Sequence, residues 1–407
     1  MKRTYDVIGS GEGITGLLSC ALLASKGLKC LFIETSPQSP GAMLWPDTPM
    51  LVTESFFQKV MEPTLRSLEP LISRSLNSRH VQLKQWIDTE ESLAIDPDKS
   101  YASRTRDGGS VCEEYIALIL KSMTKPHHLW RELRRIRPEG REWQIDLMSG
   151  LSMEGTSRVS YLHSLASKLG VCAVDYGRIK AVLGSHLTRE NGDYLKDSNV
   201  EFLFSGGETL GLEMNGTVYK AQHYLTEDLP GSGLSDGFFL YGRCEVKGNE
   251  AASRLDDRLL VVLPHEDLDF PVILRALPGT PRTKVIIFTR IRTDNNLISL
   301  MEIFSWASGM VFKLLNRILS SIEGTIQSFE AVNPISNNTI RPYFRFSETV
   351  QAPSLFTRRR YINPQERLYA CDRDKYSCLG ADGEFFWGVC IANAILRDLG
   401  RSDLITI

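Results

Sequence analysis

Hydrophobic and polar positions divide the chain into two patterned ends and a more mixed middle. Near the start, Val7-Ile8-Gly9-Ser10 is a short apolar run that predicts a buried parallel strand. Leu17 to Ser25 then predicts a helix, Gly27 ends it, and Cys30 to Ile33 predicts a second strand with Glu34 at its tip. Apolar residues at Phe56, Phe57, Val60, Met61, Leu65 and Leu68 give helical spacing over 53–73, with Pro63 expected to break or kink it. Further helices are expected over Cys112–Met123, Trp130–Ile136 and Ser160–Lys168, and short strands near Val81–Ile87 and Trp143–Leu147.

The pattern changes again near Ala173. Tyr176-Gly177 precedes a predicted helix over Arg178–Leu187, and Val200–Phe204 follows as a strand. Leu210–Met214 and Val218–Leu225 read as a hairpin about Asn215-Gly216, a pair suited to a tight turn. Leu259–Leu263, Val272–Leu274 and Lys284–Thr289, separated by Pro, Gly and Asp, predict an antiparallel meander, followed by a helix over Ile298–Ile322. The last segment again alternates strand, turn and helix. A strand Leu368-Tyr369-Ala370 leads into Cys371-Asp372, a polar loop, Gly380 and Gly383, and a helix over Glu384–Leu399. The βαβ pattern does not continue after the first unit, which argues against a simple nicotinamide dehydrogenase layout.

The chemistry concentrates at the first strand–helix junction. Gly11, Gly13 and Gly16 have the G-x-G-x-x-G spacing. Gly11 permits the tight turn, Gly13 allows the backbone to approach a pyrophosphate, and Gly16 lets the helix pack closely on the strand. The N–H groups and dipole of the helix start, around Ile14 and Thr15, favour an anion. Glu34 follows Gly11 by 34 − 11 = 23 positions, where a carboxylate accepts from the hydroxyls of an adenosine ribose. The alternative frame Gly9-x-Gly11 lacks a third glycine at Ile14 and would leave a two-residue strand. Glu12, inside the loop, is expected to point away from the phosphates.

Composition narrows the partners. With 407 residues the chain can form two sizeable domains, and 42% hydrophobic with 24% charged residues is ordinary for a globular protein. A net charge of −2 offers nothing for nucleic acid. The eight cysteines form no C-x-x-C pair, so reduced thiols and a cytoplasmic location are expected, with no leader before the first strand. No uncharged apolar stretch is long enough to span a bilayer. The helix over Ile298–Ile322, interrupted by Glu302, Lys313 and Arg317, is expected to pack between domains, with peripheral membrane contact by its apolar face as the alternative.

Three elements together resemble the FAD-dependent oxidoreductase superfamily of phytoene desaturases and flavin amine oxidases. They are the Tyr5–Glu34 unit, Tyr176-Gly177 with its helix and Val200-Glu201-Phe202, and Leu368-Tyr369-Ala370-Cys371-Asp372 with Gly383 and Gly388. The resemblance implies an α/β fold. Its FAD-binding Rossmann-type domain would be assembled from 1–50, 170–240 and 345–407, beside an α+β substrate domain with an antiparallel sheet over 51–169 and 241–344. It carries Gly11, Gly13, Ile14, Thr15, Gly16, Glu34, Thr35, Gly41, Ala42, Glu208, Asp372, Gly383 and Glu384 onto FAD contacts, Glu208 near the adenine and Asp372 on the ribityl chain. Three positions depart from the family pattern: Ala42 and Cys371 each stand for glycine, and Trp387-Gly388 for Ser-Gly.

No acid–base pair is evident, and a flavin needs none for an apolar substrate. Tyr176 and Arg178 border the second element and are read as packing and a solvated charge, with a place at the flavin ring as the alternative. Trp387, with Phe385 and Phe386, is either core or a wall of the site. His127-His128 lacks further ligands at coordinating spacing, so no metal is expected. Cys371 and Cys378 read as ordinary thiols, and Arg358-Arg359-Arg360 as a solvated run. Two functions follow from the resemblance. One is hydride transfer to flavin N5 from an apolar, isoprenoid- or polyene-like, or amine substrate. The other, motivated by Ala42 and Cys371, is a flavin-free protein similar to the Rab GDP-dissociation inhibitors that binds a lipidated or apolar partner.

Overall fold

The computed structural model describes residues 4–11, 13–35, 49–69, 79–80, 82–85, 113, 116–125, 171–197, 199–205, 208–226, 237–247, 260–263, 272–277, 282–292, 305, 309, 329–332, 362–363, 367–371 and 380–407. The expectations over Trp130–Ile136, Trp143–Leu147 and Ser160–Lys168 lie outside these residues. So do Glu12, Gly41, Ala42, His127-His128, Arg358–Arg360, Asp372, Cys378 and nearly all of Ile298–Ile322.

A parallel sheet organises the described part. Strand β1 (Thr4–Gly11) lies between β2 (Cys30–Glu34) and β10 (Thr217–Thr226), with β7 (Asp193–Lys196) beyond β2 and β17 (Leu368–Ala370) beyond β10. All four pairings are parallel, and β16 (Ile362–Asn363) adds an antiparallel edge. Its strands therefore come from three separated stretches of the chain, making a mixed α/β fold built from discontinuous segments. Both sheet faces are covered, as parallel sheets require. On one face Val7, Phe32 and Leu225 meet the helices, and on the other Ile8, Leu31, Ile33 and Tyr224 meet β8 (Val200–Ser205) and β9 (Glu208–Met214).

The helical face is built around α1 (Ile14–Ser25), whose residues from Ile14 to Ala24 are all buried. Two glycines make that burial geometrically allowed. A Cβ on Gly9 would lie 2.9 Å from Phe32 Cδ2 and 3.0 Å from Cys20 Sγ, so the bare Gly9 lets α1 and the neighbouring strand approach closely. On α4 (Gly380–Asp398), a Cβ on Gly388 would lie 2.9 Å from the Thr15 carbonyl oxygen. Ser19 bridges the same crossing, donating from Oγ to the Thr15 and Gly388 carbonyls at 2.8 Å each.

Several expectations change. The helix over 53–73 does not stop at Pro63. It runs as α2 through Glu54–Phe56, a wide π turn Phe57–Met61, and Glu62–Leu68. Pro63 cannot donate to the carbonyl four residues back, and the wider turn ahead of it takes up that lost bond without ending the helix. The expected helix at Arg178–Leu187 is α3 (Tyr176–Arg189), started by Asp175, whose side chain accepts from the Arg178 N–H at 2.9 Å. The predicted Val200–Phe204 strand forms as β8 and pairs antiparallel with β9, while β7, which the sequence pattern does not predict, lies beside β2. The hairpin turn forms as expected, with Asn215 at φ 50° and Gly216 at 72°. The last helix starts at Gly380, so Gly383 lies in its first turn and not in a loop before it.

A second sheet has the order β15-β11-β14-β13-β12-β5. Its strands are β5 (Gln82–Gln85), β11 (Gly237–Lys247), β12 (Leu260–Leu263), β13 (Val272–Leu277), β14 (Arg282–Arg292) and β15 (Phe329–Val332). The expected meander is its β12–β13–β14 core. A third, three-stranded sheet joins β3 (Pro49–Thr53), β4 (Arg79–His80) and β6 (Val171–Asp175). Among the described residues, no helix is long and apolar enough to cross a membrane.

Gly388→Ala tests the helix crossing. Alanine gains about 1 kcal/mol of helix propensity over glycine, but the clash is with a backbone carbonyl that cannot rotate away, and overpacking of this kind costs about 1–3 kcal/mol. A net loss of up to about 2 kcal/mol in urea unfolding is expected from these terms, and a clear gain in stability would contradict the close crossing.

Candidate functional site

The carboxyl ends of the parallel strands form one row. Glu34 pairs with Gly11 on one side and Lys196 on the other, Ser10 pairs with Thr226, and Thr226 pairs with Ala370. In open α/β sheets this edge is where ligands bind. Gly11 turns the chain with φ at +152°, and Gly13 is the first flank of α1 in extended backbone. The first turn of α1 itself carries no acid, and the positive end of the helix faces this edge. Gly11, Gly13, Ile14, Thr15 and Gly16 are thus brought together with Glu34 and Thr35, whose N–H donates to the Gly11 carbonyl at 3.1 Å.

Glu34 is buried at 7% exposure, and the chain supplies its counter-charges. Lys180 from α3 donates to Oε1, Tyr194 from β7 donates its hydroxyl to Oε2, and Lys196 lies 3.1 Å from Oε2. Burial alone would raise the carboxyl pKa. The charge of Lys180 and the donors Lys180, Tyr194 and Lys196 outweigh it, and the group is held below its ordinary value. The Tyr194 hydroxyl is pushed up by burial and by its bond to Glu34, and so stays a donor. None of these three partners was legible as a site residue. Their only signal is the alternation of Tyr194 and Lys196 along Asp193–Lys196, which puts both on one side of a strand too short and polar to predict.

The other expected residues fall as follows. Glu384 is buried beside the α1 start, its carbonyl accepting from Thr15 Oγ1 at 3.2 Å. Gly383 precedes it. Glu208 opens β9, and Gly41, Ala42 and Asp372 are outside the described residues. Phe385, Phe386 and Trp387 belong to the core, with Phe385 edge-on to Phe56 at 6.0 Å. Tyr176 is half-buried, its ring centre 5.7 Å from Lys180 Nζ, and Arg178 is exposed. Sequence reasoning also missed Asp382. It is fully buried, accepts from the Thr53 N–H at 3.1 Å and from Thr53 Oγ1 at 2.6 Å, and ties the start of α4 to the end of β3. Among the described residues, no group of histidine, cysteine or carboxylate side chains could hold a metal ion. Cys371 is a buried thiol.

No family model matches the sequence, and no curated protein matches it significantly. Solved structures match its fold. An oxidoreductase from Methanosarcina mazei aligns at 13% identity over 95% of this chain and 99% of its own, with a TM-score of 0.52. A geranylgeranyl bacteriochlorophyll reductase-like protein from Thermoplasma acidophilum aligns at 12% identity over 98% of this chain and 80% of its own, with a TM-score of 0.50. A Rab GDI from Plasmodium falciparum aligns at 10% identity over 82% of this chain and 90% of its own, with a TM-score of 0.46, too low to carry an argument. At these identities the first two establish a shared fold.

Lys180→Met removes one cation from a buried carboxylate. Losing one partner of such a pair costs about 3–5 kcal/mol, reduced to about 1–3 kcal/mol by the contacts Glu34 keeps. Because the folded pKa of Glu34 is depressed, its contribution is complete above the ordinary 4.5 and is lost as pH falls through the lower folded value. The stability gap between wild type and variant is expected to hold from neutral pH to about 5 and to shrink below it. A gap that widens in acid would contradict the assignment.

Proposed function

We propose that the chain is an FAD-dependent oxidoreductase related to the phytoene desaturases and flavin amine oxidases. One observation carries the proposal: the amino end of a buried helix and a buried carboxylate stand in adjacent register at the carboxyl edge of a parallel sheet. That pairing suits a dinucleotide, whose diphosphate would take the N–H groups of Gly13, Ile14 and Thr15 and whose ribose would approach Glu34. The likeness in fold to an oxidoreductase and a reductase-like protein supports it.

By the same reading, Gly41, Ala42 and Thr35 flank the diphosphate, Glu208 lies toward the adenine, and Asp372, Gly383 and Glu384 lie toward the ribityl chain and the ring. Bound flavin would supply a two-electron acceptor for a hydride from an apolar or amine substrate. The protein's part is to bind, orient and exclude water, and the apolar strands β12 and β13 are the proposed substrate wall. Tyr176, beside Lys180 and hence at the ribose end, serves the nucleotide and not the reacting ring. A cytoplasmic location belongs to the proposal, since Cys20, Cys30, Cys172, Cys371 and Cys390 are all thiols.

A second reading, a flavin-free scaffold that binds an apolar partner, is favoured by one observation: both Glu34 oxygens already have partners within the chain.

The test is a visible spectrum after incubation with FAD and removal of free ligand. Wild type is expected to retain flavin. Gly13→Asp, which places a carboxylate at the diphosphate, is expected to bind FAD at least about tenfold more weakly, or 1.4 kcal/mol, with little change in thermal stability. A colourless wild-type protein would overturn the oxidoreductase and favour the second reading.

A further inference from the structure

We infer that Lys196 is a gate on the ribose end of the nucleotide site: together with Tyr194 it occupies the Glu34 oxygen that an adenosine ribose needs, and it swings aside when the nucleotide binds. The inference rests on the nucleotide reading above and adds to it a residue that tunes specificity through Glu34.

An ionised carboxylate offers about four lone-pair directions. Among the described residues, Lys180 takes one on Oε1, and Tyr194 and Lys196 take two on Oε2. A vicinal diol brings two donors, so the carboxylate as it stands meets only one of them. One internal partner must leave for the ribose to be held by both hydroxyls.

The surroundings decide which partner leaves. Lys180 has a side chain only 15% exposed and lies over the Tyr176 ring. Tyr194 is wedged: its ring stacks on Phe32 at 6.4 Å and 9°, and it presses on Gly184, where an added Cβ would lie 3.1 Å from Cδ1. Lys196 ends β7 and is 66% exposed. Because its lysine end is solvated, this contact is screened more than the one with Lys180 and gives way first. The β2–β7 register pairs Glu34 with Lys196, which keeps the ammonium within reach as a counter-ion whenever the ribose is absent.

The experiment is calorimetric titration of full-length wild type, Lys196→Met and Tyr194→Phe with FAD, ADP and 2′,3′-dideoxy-ADP. Removing the lysine charge alters the attraction of both ADP ligands equally, so the readout is the ratio of ADP to dideoxy-ADP affinity. That ratio reports the diol on Glu34 and would not move if Lys196 or Tyr194 were merely structural. It is expected to rise about three- to fivefold in Lys196→Met, the upper end for a pair with one solvated partner, and to rise also in Tyr194→Phe. If wild type binds FAD while the ratio stays unchanged or falls in both variants, the gate is wrong and the cofactor reading survives. If no protein binds FAD or ADP, both fall together.

Discussion

The structure depends on burying α1 on every side. A helix enclosed by a sheet, α3 and α4 must be approached closely from several directions, and its backbone spacing then becomes the limiting dimension. Gly9 on the strand and Gly388 on the last helix are where a side chain would not fit. Ser19 closes the second crossing by donating to carbonyls of both helices. With α1 fixed in this way, its amino end is fixed too, and it can point only at the carboxyl edge of the sheet.

That edge carries a charge problem. Glu34 ends a strand buried along its whole length, and an unpaired carboxylate there would be costly. The chain answers with Lys180 and Tyr194, distant in sequence, and with Lys196 across the ladder. Within the chain, Lys180, Tyr194 and Lys196 hold both Glu34 oxygens. In the proposed function, a ribose would compete with these partners for the same two oxygens. Both functional readings begin from this competition and differ in whether the internal partners give way.

The first βαβ unit and the Asn215-Gly216 hairpin were legible because local chemistry determines them: glycine spacing, an apolar strand, and a turn that needs two positive φ values. Strand β7 was not, since Asp193-Tyr194-Leu195-Lys196 is short and mostly polar and becomes a strand only by pairing with β2. The run through Pro63 was hidden for a related reason, because a proline lost to one hydrogen-bonding pattern can be absorbed by a wider turn. At the site, the glycines and Glu34 could be read from spacing. Lys180 and Tyr194 lie 146 and 160 positions beyond Glu34, and no local pattern ties them to it.

In the proposed function, α1 and Glu34 form one dinucleotide cradle. A crystal structure of the protein with bound ADP tests this most directly. The diphosphate is expected on the N–H groups of Gly13, Ile14 and Thr15, with the ribose hydroxyls on Glu34. A diphosphate bound elsewhere, or a ribose that leaves Glu34 with Lys196 still in place, would contradict it.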